Sequence, residues 1–284
     1  MTLLPFTVSV FTRPNRALSI VSVLPMALAF AVFGGCGASA PSPQGIAAPL
    51  EVTVAAASDL KFALDELVQE FHRIHNDIHV SVSYGSSGNF YSQLSNQAPF
   101  DIFLSADLEF PRKLAQQGLT LSDSEFLYAV GRIVVWAPAE SPIDVERLQM
   151  DALRHPSVAH IAIANPQHAP YGRAAEAAMR SMGIYDAVQA KLVLGENIAQ
   201  TLQFIQSGNA EIGIVALSLA VAPIVRPQGR YWEIPLDRYP RMDQGGVILK
   251  WAKHRDAARA LRAFITEPKG RSMLEKFGFT LPEK

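Results

Sequence analysis

A single cysteine, Cys36, is all the chain offers, so a disulfide framework within it is excluded. Charge of one sign is also lacking. The formal net charge is −1 and the isoelectric point about 6.7, so there is no basic footprint for nucleic acid. Apart from the tether described below, there is no low-complexity segment, and no internal repeat of the kind that builds solenoids. Several catalytic signatures are missing too. Ser58-Asp59-Leu60-Lys61 matches S-x-x-K, but neither K-T-G nor Ser-Asp-Asn follows it. Gly85-Ser86-Ser87-Gly88 is not the nucleophile elbow G-x-S-x-G, and no histidine stands in either motif to activate a serine. His72, His75 and His79 lack H-E-x-x-H spacing and read as solvated surface.

Only one long apolar run is present. Arg13 and Arg16 precede an uncharged stretch from Ala17 to Phe33, and small residues follow, the layout of an export signal. As a membrane span the run is at the short end of the roughly 17–25 residues required, and Pro25 interrupts it. Two processing readings stand side by side. Ala38-Ser39-Ala40 is an A-x-A site with Pro41 unfavourably placed after it. Phe33-Gly34-Gly35-Cys36 resembles a bacterial lipobox, with Phe33 where leucine is usual, and favours lipidation at Cys36. The expected organisation is an export signal of lipoprotein type over 1–36 and a flexible Pro/Ala/Ser/Gly-rich tether over 37–49.

The remaining residues alternate strand and helix patterns. Glu51–Ala57 is a buried strand, and Ser58 reads as the cap of a helix from about Asp59 to Ile74, with Leu60, Ala63, Leu64, Leu67, Val68 and Phe71 at helical spacing. A strand over His79–Tyr84 leads into a helix starting at Ser87 or Gly88. Further strands are expected at 101–105, 131–138, 160–164, 191–194, 211–217 and 245–251, with helices between several of them and two at the C-terminal end. This alternation predicts an α/β fold with a mostly parallel sheet, in which ligands sit beyond the carboxyl ends of the strands.

Ala57-Ser58-Asp59-Leu60 and Tyr84-Gly85-Ser86-Ser87-Gly88-Asn89 both lie at such ends. Each couples a small hydroxyl residue to a helix start, where unpaired N–H groups and a partial positive charge face outward. Two starts facing each other would hold an oxyanion without lysine or arginine. Serine before an apolar periodic run is, however, commonly just a cap. Asn165-Pro166-Gln167-His168-Ala169-Pro170-Tyr171-Gly172 and Glu196-Asn197-Ile198 are two more strand-to-helix turns; Tyr171 and Ile198 would offer N–H groups, or the first could be a surface turn with an aromatic plug. Asp101 and Asp107, flanking a strand, read as caps or hinge contacts.

Taken as a set, Ala-Ala-Ser-Asp-Leu at 56–60, Gly-Ser-Ser-Gly at 85–88, Ala-Pro-Phe-Asp-Ile-Phe-Leu-Ser-Ala-Asp at 98–107, Asn-Pro-Gln-His-Ala-Pro-Tyr-Gly at 165–172 and Gly-Ile-Val-Ala at 213–216 resemble the ModA family, periplasmic molybdate-binding proteins of ABC transporters. The resemblance runs from about Leu50 to Pro282. It implies a two-lobed, type II periplasmic-binding-protein fold, with lobe I formed by 50–131 and 243–284, lobe II by 132–242, and the ligand in the cleft. It implies a non-enzymatic, monomeric binding protein that takes molybdate or tungstate, needs no cofactor and delivers to an inner-membrane ABC permease. The implied ligand positions are the Ser58 and Ser87 hydroxyls and the turns at Asp59, Tyr171 and Ile198, with Asp59 contributing its N–H and turning its side chain away. Much of the family has Ala-Gly at 171–172 and a tyrosine at 216, where this chain has Ala216. The Pro-Tyr-Gly turn resembles a branch that includes the Azotobacter type, which implies that the ligand tyrosine lies at 171. Two other readings remain: a receptor for sulfate, thiosulfate or phosphate, and, from another class, a serine-type hydrolase using Ser58 and Lys61.

Overall fold

The computed structural model describes residues 49–281. The export signal, Cys36 and the tether up to residue 48 lie outside them. Among the described residues no helix is long and apolar enough to cross a membrane.

The described chain opens with β1 (Leu50–Ala57), whose Val52, Val54 and Ala55–Ala57 are buried, the run expected of a strand covered on both faces. A single 3-10 turn, Ser58–Leu60, leads into α1 (Lys61–Ile74), which buries Ala63, Leu64, Leu67 and Phe71 along one stripe. Then come β2 (Ile78–Gly85), α2 (Ser87–Ser95), β3 (Ile102–Ser105), α3 (Glu109–Gln116) and β4 (Phe126–Gly131). A second series follows directly: β5 (Ile133–Pro138), the short α4 (Val145–Leu148), β6 (Ile161–Ala164), α5 (Pro170–Ser181), α6 (Tyr185–Val188), β7 (Leu192–Gly195), α7 (Ile198–Gln206), β8 (Ile212–Ala216), α8 (Leu217–Ala220) and β9 (Gly229–Glu233). The chain then returns with β10 (Met242–Ile248) and ends in α9 (Arg255–Thr266) and α10 (Pro268–Lys276).

The strands form two five-stranded sheets, β2-β1-β3-β10-β4 and β7-β6-β8-β5-β9. The two orders are equivalent: three parallel strands, then one antiparallel strand, then an edge strand antiparallel to that one. The α/β architecture is as expected; the sheets are mixed, with one strand of each, β10 and β5, running against the other four. Sequence periodicity carries no strand direction, and the antiparallel members, β10 and β5, arrive through the two crossings between the sheets.

Two boundaries also differ from the sequence reading. Ser58 does not cap α1; the helix begins three residues later, and the Ser58 hydroxyl is used elsewhere. The strand expected from Gly245 begins at Met242, because Met242, Asp243 and Gln244 pair with Gly131, Val130 and Ala129 before a bulge at Gln244/Gly245. Pairing outweighs the loop-like look of Asp-Gln-Gly-Gly.

Strand register sets the positions that matter for function. β1 and β2 end level, Ala57 opposite Gly85, and β6 and β7 end level, Ala164 opposite Gly195. The starts of the Ser58 turn, α2, α5 and α7 therefore follow the carboxyl ends of two parallel pairs. Gly172 allows α5 to settle against its strand, since a Cβ there would lie 2.1 Å from the Ala164 carbonyl oxygen. Gly172→Ala is therefore expected to displace the start of α5 and cost about 1–3 kcal/mol in denaturant unfolding; wild-type stability would show that the helix start is not held by this contact.

Candidate functional site

The five residues singled out from sequence line one small cavity. Ser58, Asp59, Ser87, Tyr171 and Ile198 surround it with Ala57, Gly85, Ser86, Ala106, Ala169 and Pro170; its volume is about 10 Å³. Residues from both sheets contribute, so the cavity lies in the cleft between them. Its lining contains no lysine, arginine or histidine and one carboxyl group, that of Asp59.

Ser58 is buried. Its Oγ donates to Asn197 Oδ1 at 3.0 Å and accepts from Ala199 N at 3.2 Å, so it joins the first sheet to the start of α7. Asn197 is itself the cap of α7, its Oδ1 accepting from Gln200 N at 3.0 Å. Ile198 is the first residue of that helix, where a backbone N–H has no intrahelical acceptor. Ser87, fully buried, is the first residue of α2, but the cap is Ser86, whose Oγ accepts from Asn89 N. Ser87 Oγ instead accepts from Ala106 N at 3.0 Å, which leaves its own proton for the cavity. Tyr171 is the second residue of α5, with Pro170 at the first position, where its missing N–H costs nothing.

The Tyr171 hydroxyl is not available to a ligand as a donor. It donates to Asp59 Oδ2 at 2.9 Å and accepts from Gln244 Nε2 at 3.0 Å, while Gln244 Nε2 also donates to Asp59 Oδ2 at 2.7 Å. All three side chains are buried, and the Asp59 main-chain oxygen accepts from Ser218 Oγ at 2.8 Å. Burial pushes the Asp59 carboxyl up to about 6, against the opposing pull of hydrogen bonds from Gln244 and Tyr171 and of the nearby backbone N–H groups of residues 59 and 60. Burial and the Asp59 charge drive the Tyr171 hydroxyl well above the usual tyrosine range, so it stays neutral.

Further contacts cross the cleft around the cavity. Gly88 N donates to the His168 carbonyl at 2.9 Å, and His168 Nδ1 meets Ser86 Oγ at 3.0 Å. Asn89 Nδ2 donates to Glu196 Oε1 at 2.9 Å, and Arg173 pairs with Asp107 Oδ2 at 2.6 Å. Asp107 also accepts from Phe110 N at the start of α3, so it is both cap and cleft contact. Asp101 ties Thr53 to Lys253 N within the first sheet's surroundings. His72 is half-buried, its Nε2 accepting from Val80 N at 3.1 Å, a structural role where solvation was expected. Lys61, the base required by a serine-hydrolase reading, lies over the Tyr84 ring at 5.2 Å.

Sequence reasoning missed Gln244, Ser218 and the capping asparagine Asn197 as contributors. Asn197 had a usable signal, an Asx residue directly before a helix. Gln244 had none, since a glutamine between an aspartate and two glycines carries no periodic mark.

A family model described as bacterial extracellular solute-binding protein matches residues 52–280. The chain is 38% identical over 231 residues to the molybdate-binding protein ModA of Azotobacter vinelandii, covering 81% of this chain and 90% of that one. It is 36% identical over 200 residues to the ModA protein of Rhodobacter capsulatus, covering 70% and 77%. The solved structure of the A. vinelandii periplasmic molybdate-binding protein superposes with a TM-score of 0.75 at 32% identity, covering 82% of this chain and all of that one.

The raised Asp59 carboxyl has a consequence for stability. Between the ordinary aspartate pKa of about 3.9 and about 6, the folded protein keeps a proton that the unfolded chain has lost, so stability falls as pH rises through that window. The total is roughly 3 kcal/mol. Asp59→Asn keeps an acceptor for Tyr171 and Gln244 but cannot ionise. Its stability relative to wild type, measured by urea unfolding, is expected to rise between pH 4 and pH 7 by about that amount; a difference constant with pH would contradict the assignment.

Proposed function

This chain belongs to the ModA family of bacterial extracellular solute-binding proteins, and we propose that it captures molybdate in the cleft and hands it to an ABC permease. The observation that carries this reading is the cavity wall: two serine hydroxyls and the starts of four helical segments converge there without a single cationic side chain.

Molybdate is a dianion at neutral pH and only accepts hydrogen bonds. The donors assigned to it on this reading are the hydroxyls of Ser58 and Ser87 and the backbone N–H groups of Asp59, Tyr171 and Ile198. These groups meet the oxygens; none ligates the metal, which is enclosed by them. Each lies at the positive end of a helical segment, so the anion's charge is met by peptide dipoles that need no counter-ion. Ser58 exchanges its neutral bond to Asn197 for a charge-assisted bond to the anion, a change of partner that favours binding. Tyr171 contributes its N–H, because its hydroxyl proton is held by Asp59.

Tungstate has the same charge and shape and is the second expected ligand. Sulfate is smaller and leaves donors unmet, each costing roughly 1–3 kcal/mol in a dry cleft. The lobes, 50–131 with 243–284 and 132–242, close on the anion about the two crossings near Gly131 and Met242. The rim contacts Gly88–His168, Asn89–Glu196 and Arg173–Asp107 belong to the closed form, whose outer surface a permease would read. The protein works as a monomer in the periplasm, held to a membrane through a lipid on Cys36.

Calorimetric titration with molybdate, tungstate, sulfate and phosphate tests this. One-to-one binding of the first two alone is expected, and Ser87→Ala should weaken it by about 1.5–3 kcal/mol. Binding of sulfate or phosphate in their place would replace the substrate, and an unchanged Ser87→Ala affinity would remove Ser87 from the site.

A further inference from the structure

Asp59 is the one acidic group in the wall of a cavity lined by serines, helix starts and small apolar residues. Its side chain is unevenly satisfied. Oδ2 accepts from both Tyr171 and Gln244, while Oδ1 is buried with no hydrogen-bond partner. The amide that bonds Oδ2 carries a second orphan, Gln244 Oε1, which is buried and also without a partner. Two acceptors thus sit unpaired on two planar groups already joined at 2.7 Å. A proton on Oδ1 would turn that atom into a donor, and Gln244 Oε1, on the amide already bonded to this carboxyl, has its acceptor capacity free.

No cationic side chain faces the carboxyl; only neutral hydrogen bonds, from Tyr171, Gln244 and the local backbone, favour a negative charge there. From α5 the group facing Asp59 is Tyr171 and from β10 Gln244; α8 presents Ser218, whose hydroxyl goes to the Asp59 main-chain oxygen. Tyr128 on β4 is the other titratable neighbour, driven well above the usual tyrosine range by burial first and by Asp59 second, with its hydroxyl on the Ser105 carbonyl. Asp107, which also bears on Tyr128, is turned to Arg173. Lys61 lies over Tyr84. All the hydrogen-bond donors to the carboxyl are neutral.

We propose that Asp59 takes up a proton from solvent when a dianion enters the cleft, so that oxyanion capture and protonation of this carboxyl are one coupled event. This rests on the functional reading above. A carboxylate beside a dianion in a water-poor cleft repels it, and protonation removes the repulsion while giving the unpartnered Oδ1 a proton to donate. The free protein is poised for the change, since burial already holds the carboxyl near neutrality, at about 6. The Asp59 side chain is then a positioning group: its neutral form fixes Tyr171, and with it the start of α5, while the anion is held by the serine hydroxyls and backbone N–H groups, that of Asp59 included. Linkage gives the direction. Affinity falls as pH rises above the free-state value, approaching tenfold per pH unit while the bound form stays protonated.

The test is calorimetric titration of the protein with sodium molybdate at pH 6 and pH 8, in buffers of different ionisation enthalpy. The expected uptake is close to one proton per molybdate at pH 8 and about half a proton at pH 6. Asp59→Asn should bind with no proton uptake at either pH and at least tenfold more tightly than wild type at pH 8. Should that variant not fold, infrared difference spectra of the wild type on adding molybdate should show the carbonyl stretch of a newly protonated carboxyl. Molybdate binding without proton uptake, or without that band, overturns this inference alone. Weaker binding by a folded Asp59→Asn at pH 8 also overturns it, by showing Asp59 to be an acceptor for a protonated anion. No molybdate binding at any pH overturns the functional reading and this inference with it.

Discussion

A multiply charged oxyanion can leave water only if every oxygen finds a donor, and on the proposed reading this protein meets that demand with backbone. Hydroxyls and helix-start N–H groups are short-ranged and fixed in place, so they must be brought to a common point by the framework itself. The level strand ends, Ala57 against Gly85 and Ala164 against Gly195, do this. Each pair launches two helical segments side by side, and the cleft sets one pair of starts against the other. Close approaches of backbone to backbone follow as a requirement. Gly172 lies on the Ala164 carbonyl, and a Cβ on Gly88 would come within 2.6 Å of the His168 carbonyl oxygen across the cleft.

The same economy explains the buried triad behind the cavity. Asp59 ties the turn after β1 to Tyr171 on α5 and to Gln244 on β10, just past one of the crossings between the sheets. A Cβ on Gly131, at the other crossing, would sit 2.6 Å from the Tyr171 hydroxyl and 2.7 Å from Gln244 Nε2. The network therefore lies where both crossings meet the start of α5. A charge buried here costs stability, which Asp59 avoids in its neutral form. The Ser87 hydroxyl is kept free of such ties on the cavity side, anchored only through the hydrogen bond it accepts from Ala106 N, whereas Ser58 donates to Asn197 Oδ1.

Much of this was legible in the sequence because it is local. Strand-to-helix alternation gave the α/β class, and small hydroxyl residues at helix starts marked Ser58 and Ser87, which the fold brings to one cavity with Asp59, Tyr171 and Ile198. What was not legible is long-range. Nothing near Ser58 says that its hydroxyl reaches a residue 139 positions later rather than capping its own helix. Nothing near Tyr171 says that its hydroxyl faces Asp59, which leaves the N–H expected at this turn as the group it can offer. Gln244 was passed over because pairing of β10 with β4, not propensity, makes its segment a strand. The antiparallel members of the sheets escaped for the same reason.

Anomalous diffraction at the molybdenum edge from crystals saturated with molybdate locates the anion most directly. The expected result is one strong peak enclosed by Ser58, Ser87, Tyr171 and Ile198, with the anion's oxygens about 2.7–3.2 Å from both serine hydroxyls. A peak at another place on the surface, with this cavity free of anomalous signal, would contradict the account.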